Sequence, residues 1–147
     1  MNIEKYFCLA KSSSELSDYT KKNIKIGAVL VYKNRVVANG FNTDKTNPLQ
    51  AKYNKYRELV SNNDRNYKSD IHNPCVHAEM KCLIDTKDMD INWSKVSIFI
   101  YRQGKNGKLL NCFPCPSCRK ALLDRGIKNI FYTNENGYNY ERWYDNE

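Results

Sequence analysis

An α/β sandwich is the fold the sequence predicts, and three observations predict it. Apolar strand-like runs alternate with helix-period segments along the chain, two of the runs are joined by a two-residue turn, and no repeat, low-complexity tract or interdomain linker interrupts them. The 147 residues suit one domain, 1–147, able to bury a modest core.

Ile3, Tyr6, Phe7 and Ala10 recur at helical spacing and mark a first helix. IKIGAVLVY (24–32) is a β-branched run, Lys33-Asn34 reads as a turn, and RVVANGF (35–41) follows, which together make a hairpin. In TNPLQAKYNKYRELV, Asn47 is an N-cap with Pro48 at the first helical position, and Leu49, Tyr53, Tyr56 and Val60 share one face. Gln50, Asn54 and Arg57 fall on the polar side of that helix; a solvated face is the simpler reading, with contact to a ligand as the alternative. After a polar stretch over 61–73, Val76, Met80, Leu83 and Ile84 define another helix. VSIFIYR (96–102) reads as a buried strand, and a Gly- and Lys-bearing loop runs on to Asn111. A helix over about 115–125 leads through Arg125-Gly126 into a last strong strand, IKNIFYT (127–133), whereas the acidic, Tyr-rich end 134–147 has no assigned element.

Lys and Arg number 24 against 16 Asp and Glu, a net charge of +8. Basic residues dominate 33–68 and 103–128, and acidic ones the tail. Such a field favours an anionic ligand, a nucleotide phosphate or a nucleic-acid backbone; a solvated surface that keeps the chain soluble is the plainer alternative. No apolar run reaches the roughly 18 residues of a membrane span. MNIEKYFCLAKSSSELSD lacks the apolar core of a signal peptide, so a cytoplasmic location is expected, and the six cysteines are expected in metal or core roles.

Chemistry concentrates in His77-Ala78-Glu79 and Pro114-Cys115-Pro116-Ser117-Cys118. Cysteines three apart at a helix start project to one side and can both reach one metal ion. His77, from the start of a second helix, makes a third ligand, and three protein ligands leave the fourth tetrahedral position open, as catalytic zinc requires. Glu79 lies two residues from His77, near enough to exchange protons with a water at that position without joining the ligand set. Taken alone, C-x-x-C is also a redox pair or half of a closed structural zinc site, for which His72, Cys75 and Cys112 are the nearby fourth ligands. That reading leaves Glu79 unexplained.

H-x-E followed by P-C-x-x-C is the signature of the zinc base deaminases. On these residues the chain resembles the cytidine deaminase superfamily over roughly 3–133, and within it the deoxycytidylate and tRNA adenosine deaminase branch. GAVLVYKNRVVANGFN is similar to that branch's first hairpin, HNPCVHAEM to its zinc-helix segment, and PCPSCRKALLDRGIKNIFYT to its second zinc helix and following strand. The resemblance implies a three-layer sandwich, a five-strand mixed sheet flanked by helices, with strands four and five parallel. It also implies one zinc per chain on His77, Cys115 and Cys118, and Glu79 as proton shuttle. The backbone N–H of Ala78 would contact the base carbonyl where the base is cytosine, Asn42 would hydrogen-bond the substrate, and Ile26 would line the pocket wall.

Three departures lie around the mouth of that site. The insertion of about 43–73 is long, as in deoxycytidylate deaminases; Lys81 stands where many of those have Asn; and the loop of about 103–112 is long and basic. Cys8 and Cys82 fall on apolar helix faces and read as core thiols, while Cys75, Cys112 and His72 form a weak candidate for a second zinc site. The expected substrate is a cytosine nucleotide of the deoxycytidylate kind, with Arg57, Lys52, Lys105 and Lys108 as candidate phosphate or backbone contacts. The alternatives are a polynucleotide, single-stranded DNA or tRNA, which the eleven tyrosines favour through base stacking, and a non-catalytic zinc module. Folds of this branch usually assemble, which makes a homo-oligomer the expectation and no membrane partner.

Overall fold

The structure, a computed structural model, describes residues 1–18, 24–45, 47–61, 76–104 and 106–143, with the side chains of 56–61 outside that set. Arg57, Tyr56, Val60, His72, Cys75 and Lys105, as assigned from the sequence, therefore lie outside the described residues or side chains. The elements run α1 (Ile3–Ser14), β1 (Lys25–Tyr32), β2 (Arg35–Phe41) and α2 (Pro48–Ser61). They continue with α3 (Ala78–Asp85), β3 (Ser97–Gln103), α4 (Pro116–Arg125), β4 (Asn129–Asn134) and β5 (Gly137–Arg142). Among the described residues no helix is long and apolar enough to cross a membrane.

One five-stranded sheet, in the order β2-β1-β3-β4-β5, forms the middle layer. Period-two alternation decides what each face buries. Ala28, Leu30, Ile98, Ile100 and Ile130 point to the side covered by α2, α3 and α4. Val29, Val31, Phe99, Tyr101 and Phe131 point to the side where α1 brings Tyr6, Phe7 and Ala10. The α1 side is an aromatic stack, with Phe99 and Phe131 rings parallel at 4.3 Å and Phe7 edge-on to Phe99 at 5.3 Å. Ile3, expected on this face, is 42% exposed, and Cys8, expected as a core thiol, is exposed on the outer side of α1. The helical spacing was right and the width of the buried stripe too generous: one layer of sheet covers only the Tyr6–Phe7–Ala10 side.

Turn chemistry explains the connections. Lys33 and Asn34 both adopt positive φ, 51° and 61°, as a two-residue hairpin whose twist matches its strands requires. Asn47 caps α2 through its side chain, accepting from the Leu49 N–H at 2.9 Å. Gly126, at φ 104°, closes α4 and donates back to the Leu122 carbonyl. Gly40 lets α3 lie close on β2, since a Cβ there would stand 2.5 Å from the Ala78 carbonyl oxygen.

Strand five departs from the expectation of a parallel β4–β5 pair. β3 and β4 are parallel, but β5 returns antiparallel to β4 through a tight hairpin, pairing Asn134 with Gly137 and Asn129 with Arg142. Two loop residues are too few for a parallel crossover, so the short connection forces the direction. The unassigned tail is thus an edge strand, and its end is anchored. Trp143 is fully buried, its backbone N–H donates to the Lys128 carbonyl at 2.8 Å, and the Arg119 guanidinium stacks 5.1 Å above its ring.

Candidate metal centre

α3 and α4 start side by side, and the residue preceding each is a candidate ligand. His77 and Cys115 both sit at the N-cap in extended conformation, and neither side chain caps its own helix. Ser, Asp or Asn there would turn back onto the first N–H groups; His and Cys leave their ligating atoms aimed outward. Pro116 opens α4, where a missing N–H costs nothing. Cys118 follows on the same face and is fully buried.

The three side chains meet. His77 Nδ1 lies 3.3 Å from Cys118 Sγ and 3.5 Å from Cys115 Sγ, and all three ligand atoms fall within 4.8 Å of one another. An imidazole nitrogen and two sulfurs converging this closely, each from a helix N-terminus, are a donor set that fits zinc. Among the described residues no other His, Cys, Asp or Glu joins this group. Cys112, weighed as a fourth ligand or as part of a second zinc site, belongs to the core. Its Sγ faces the Ile100 carbonyl at 3.2 Å and accepts from the Thr133 N–H at 3.3 Å, and burial pushes its thiol up to about 12. Cys82 is buried as expected.

Glu79 is 5% exposed, one residue into α3 beyond Ala78. Burial pushes its carboxyl above the ordinary carboxylate range; His77 pulls it down, Cys115 pushes it up, and a hydrogen bond with Cys118 pulls it down again. The carboxyl therefore touches the sulfur cluster while standing outside the ligand set.

Asn42 and Ile26 join each other at the end of β2 and start of β1. The Asn42 amide accepts from the Ile26 N–H at 3.0 Å and from the Ser17 hydroxyl at 2.6 Å, and donates to the Ile24 carbonyl at 2.8 Å. Its side chain thus holds backbone in this state. The next residue, Thr43, exchanges two hydrogen bonds with Val76, of 3.0 and 2.9 Å, which brings this corner beside His77. Lys52 is exposed on α2 with Nζ 5.3 Å above the Tyr53 ring, and Lys108 is exposed in the later loop; the structure brings neither into contact with the cluster. Lys81 pairs with Asp85 at 3.0 Å on the outer face of α3.

Two contacts escaped the sequence reading. The Ser117 hydroxyl lies 3.1 Å from Cys115 Sγ. Gln50, placed on a solvated face, is 2% exposed and accepts from the His77 backbone N–H at 3.0 Å. It lies one helical turn from the buried Tyr53, on a side that the chain entering α3 covers. Tyr53 packs as expected and donates to Asp124 at 2.8 Å.

Residues 1–134 match the family described as the cytidine and deoxycytidylate deaminase zinc-binding region. The chain is similar to the solved cytidine deaminase from Burkholderia pseudomallei, at 18% identity and a TM-score of 0.64, over 97% of this chain and 93% of that one. It is also similar to the dCMP deaminase from cyanophage S-TIM5, solved in complex with dCMP and dUMP, at 20% identity and a TM-score of 0.55, over 88% of this chain and 78% of that one. The cytidine deaminase from Mycobacterium tuberculosis gives 16% identity and a TM-score of 0.58, over 97% and 90%. No curated protein matches the chain by sequence.

Proposed function

Because the chain belongs to the cytidine and deoxycytidylate deaminase family through that match, we propose that it hydrolyses the exocyclic amine of cytosine in a free nucleotide of the deoxycytidylate type, releasing ammonia. The observation that carries this reading is the convergence of His77, Cys115 and Cys118 beside the buried Glu79. In the net reaction a C–O bond replaces the C–N bond at the ring carbon, and the amine leaves as ammonia with no change of oxidation state.

His77, Cys115 and Cys118 would hold zinc, which when bound would lower the pKa of a water enough to supply a nucleophile at neutral pH. Glu79 would take the two protons of the attacking water in turn, passing one to the ring nitrogen and the other to the departing amine, from a site where burial keeps bulk water from competing. The Ala78 N–H, in the first turn of α3 where helix donors lack intrahelical partners, presents a hydrogen bond to the base carbonyl. Ile26 borders the base, and Asn42 reaches the substrate by exchanging one of its backbone contacts.

A phosphate would be met by one of Lys52, Arg57, Lys105 and Lys108, the basic residues of the two segments that flank the site in sequence. One charge-assisted contact contributes about 1.5–3 kcal/mol, or roughly 10- to 150-fold. The expected result is a kcat/KM for deoxycytidylate at least about tenfold above that for deoxycytidine, erased by alanine at the correct basic residue with nucleoside turnover unchanged. Equal rates would remove the nucleotide reading. The second reading is a free cytosine nucleoside, favoured by the antiparallel β5, which departs from the deoxycytidylate branch's arrangement. Turnover confined to oligonucleotides, with a steep fall on added salt, would favour a polynucleotide instead.

The assembly expected is a homo-oligomer. Met1, Ile3, Tyr138 and Tyr140 leave apolar surface exposed around α1 and the β5 edge, which supports association. Light scattering should give a particle larger than the 17.2 kDa chain; a monomer at assay concentration contradicts it.

A further inference from the structure

His77 must present Nδ1 to two sulfurs, yet it sits at a helix N-cap, where its own side chain contributes nothing to fixing the backbone. Neighbouring groups hold it instead. Val76 is tied to Thr43 by two hydrogen bonds, and the His77 carbonyl accepts from the Lys81 N–H at 2.9 Å. The His77 N–H remains, and the side chain that takes it is Gln50, from a helix 27 residues earlier, at 3.0 Å.

The orientation of the Gln50 amide follows from chemistry. A backbone N–H can only donate, so the oxygen Oε1 must face His77. The nitrogen Nε2 then faces the other way and donates to Asn54 Oδ1 at 2.7 Å, one helical turn along α2. Both ends of a nearly fully buried amide are satisfied, and the second bond locks the rotamer that makes the first. A leucine would fill the same space without the cost of burying an amide. What leucine cannot do is accept from His77.

On the zinc deaminase reading above, we propose that Gln50 is a positioning residue of the metal site, which fixes the His77 backbone and so the aim of Nδ1, with Asn54 setting the amide. Partners beyond the ligands of a metal site typically contribute 10- to 100-fold in metal affinity or activity. The insertion of about 43–73 thereby contributes to the zinc site, since α2 lies within it.

The test compares Gln50→Leu, Gln50→Glu and Asn54→Ala by zinc affinity in chelator competition and by the visible spectrum of the cobalt(II)-substituted protein, which reports ligand geometry independently of turnover. Gln50→Leu should weaken zinc by about 10- to 100-fold and shift the cobalt bands. Gln50→Glu should restore both, because a neutral buried carboxyl keeps an acceptor for His77 and a donor for Asn54. Wild-type zinc affinity and spectrum in Gln50→Leu overturn the proposal, as does an equal loss in Leu and Glu. Should the leucine variant fail to fold, Asn54→Ala decides: a several-fold loss with shifted bands supports it, and unchanged metal binding overturns it. Zinc affinity that depends on Gln50 in a protein without cytosine deamination would sink the functional reading and leave this inference standing.

Discussion

Glu79→Ala should retain zinc and fold while losing turnover almost completely. General acid–base catalysis commonly supplies about 10²–10⁴-fold, and here one carboxyl serves both the attacking water and the leaving amine, so the loss belongs at the upper end or beyond. The structure adds an expectation about stability. Glu79 is a buried carboxyl whose ionised form is disfavoured chiefly by desolvation, and it lies against Cys118 outside the ligand set. Removing a carboxyl whose ionised form burial penalises relieves a desolvation cost, so the melting temperature should hold or rise, as at sites where activity is kept at the expense of stability. The measurements are zinc stoichiometry, melting temperature and ammonia release from deoxycytidylate and cytidine. A variant that keeps more than about a tenth of the wild-type rate would show that Glu79 is not the proton shuttle.

Cys115→Ala should lose the metal, and activity with it. Its sulfur lies 3.5 Å from His77 Nδ1, with Cys118 Sγ the other sulfur at hydrogen-bond distance among the described residues, and it belongs to the segment that ties α4 to α3 at this end of the sheet. With one sulfur and one imidazole left, the donor set falls below the three ligands of a catalytic zinc centre. Metal affinity is also folding free energy where a site joins separate segments, so the melting temperature should fall and lose its response to chelator. Alanine in place of the thiol also deprives the Ser117 hydroxyl of its sulfur neighbour at 3.1 Å. Full zinc occupancy in the purified variant would overturn the ligand assignment, and a chelator-sensitive melting transition would locate the metal elsewhere in the chain.

Much of this site was legible in the chain because its signals are local. The continuous apolar runs of β1 and β3 mark strands buried on both faces without knowledge of the partner strand. Lys33-Asn34, Asn47-Pro48 and Gly126 mark turns and helix ends through their own backbone preferences. Cys115 and Cys118, one turn apart at a helix start, face one way before anything packs on them. His77 and Glu79 bracket the start of α3 in the same manner, so the candidate ligand set and the carboxyl beside it could be named from spacing and resemblance.

The tertiary structure decided the rest, because those features depend on groups far apart in the chain. β5 is exposed or half-exposed throughout, and its one periodic signal is Tyr138 and Tyr140, whose rings lie on Phe7 and Phe131 at 4.1 and 4.6 Å; its direction came from the two-residue link to β4. Trp143 is buried only because β5 returns it beneath Arg119. Cys8 is exposed because α1 packs on a single sheet face. Gln50 carries a polar side chain at a polar helix position, which locally reads as solvent-facing. It is buried because the His77 N–H, 27 residues on, needs an acceptor when the chain crosses above α2. Local periodicity determines which way a side chain points on its element, whereas the burial of a polar group depends on whether a distant donor or acceptor arrives to meet it.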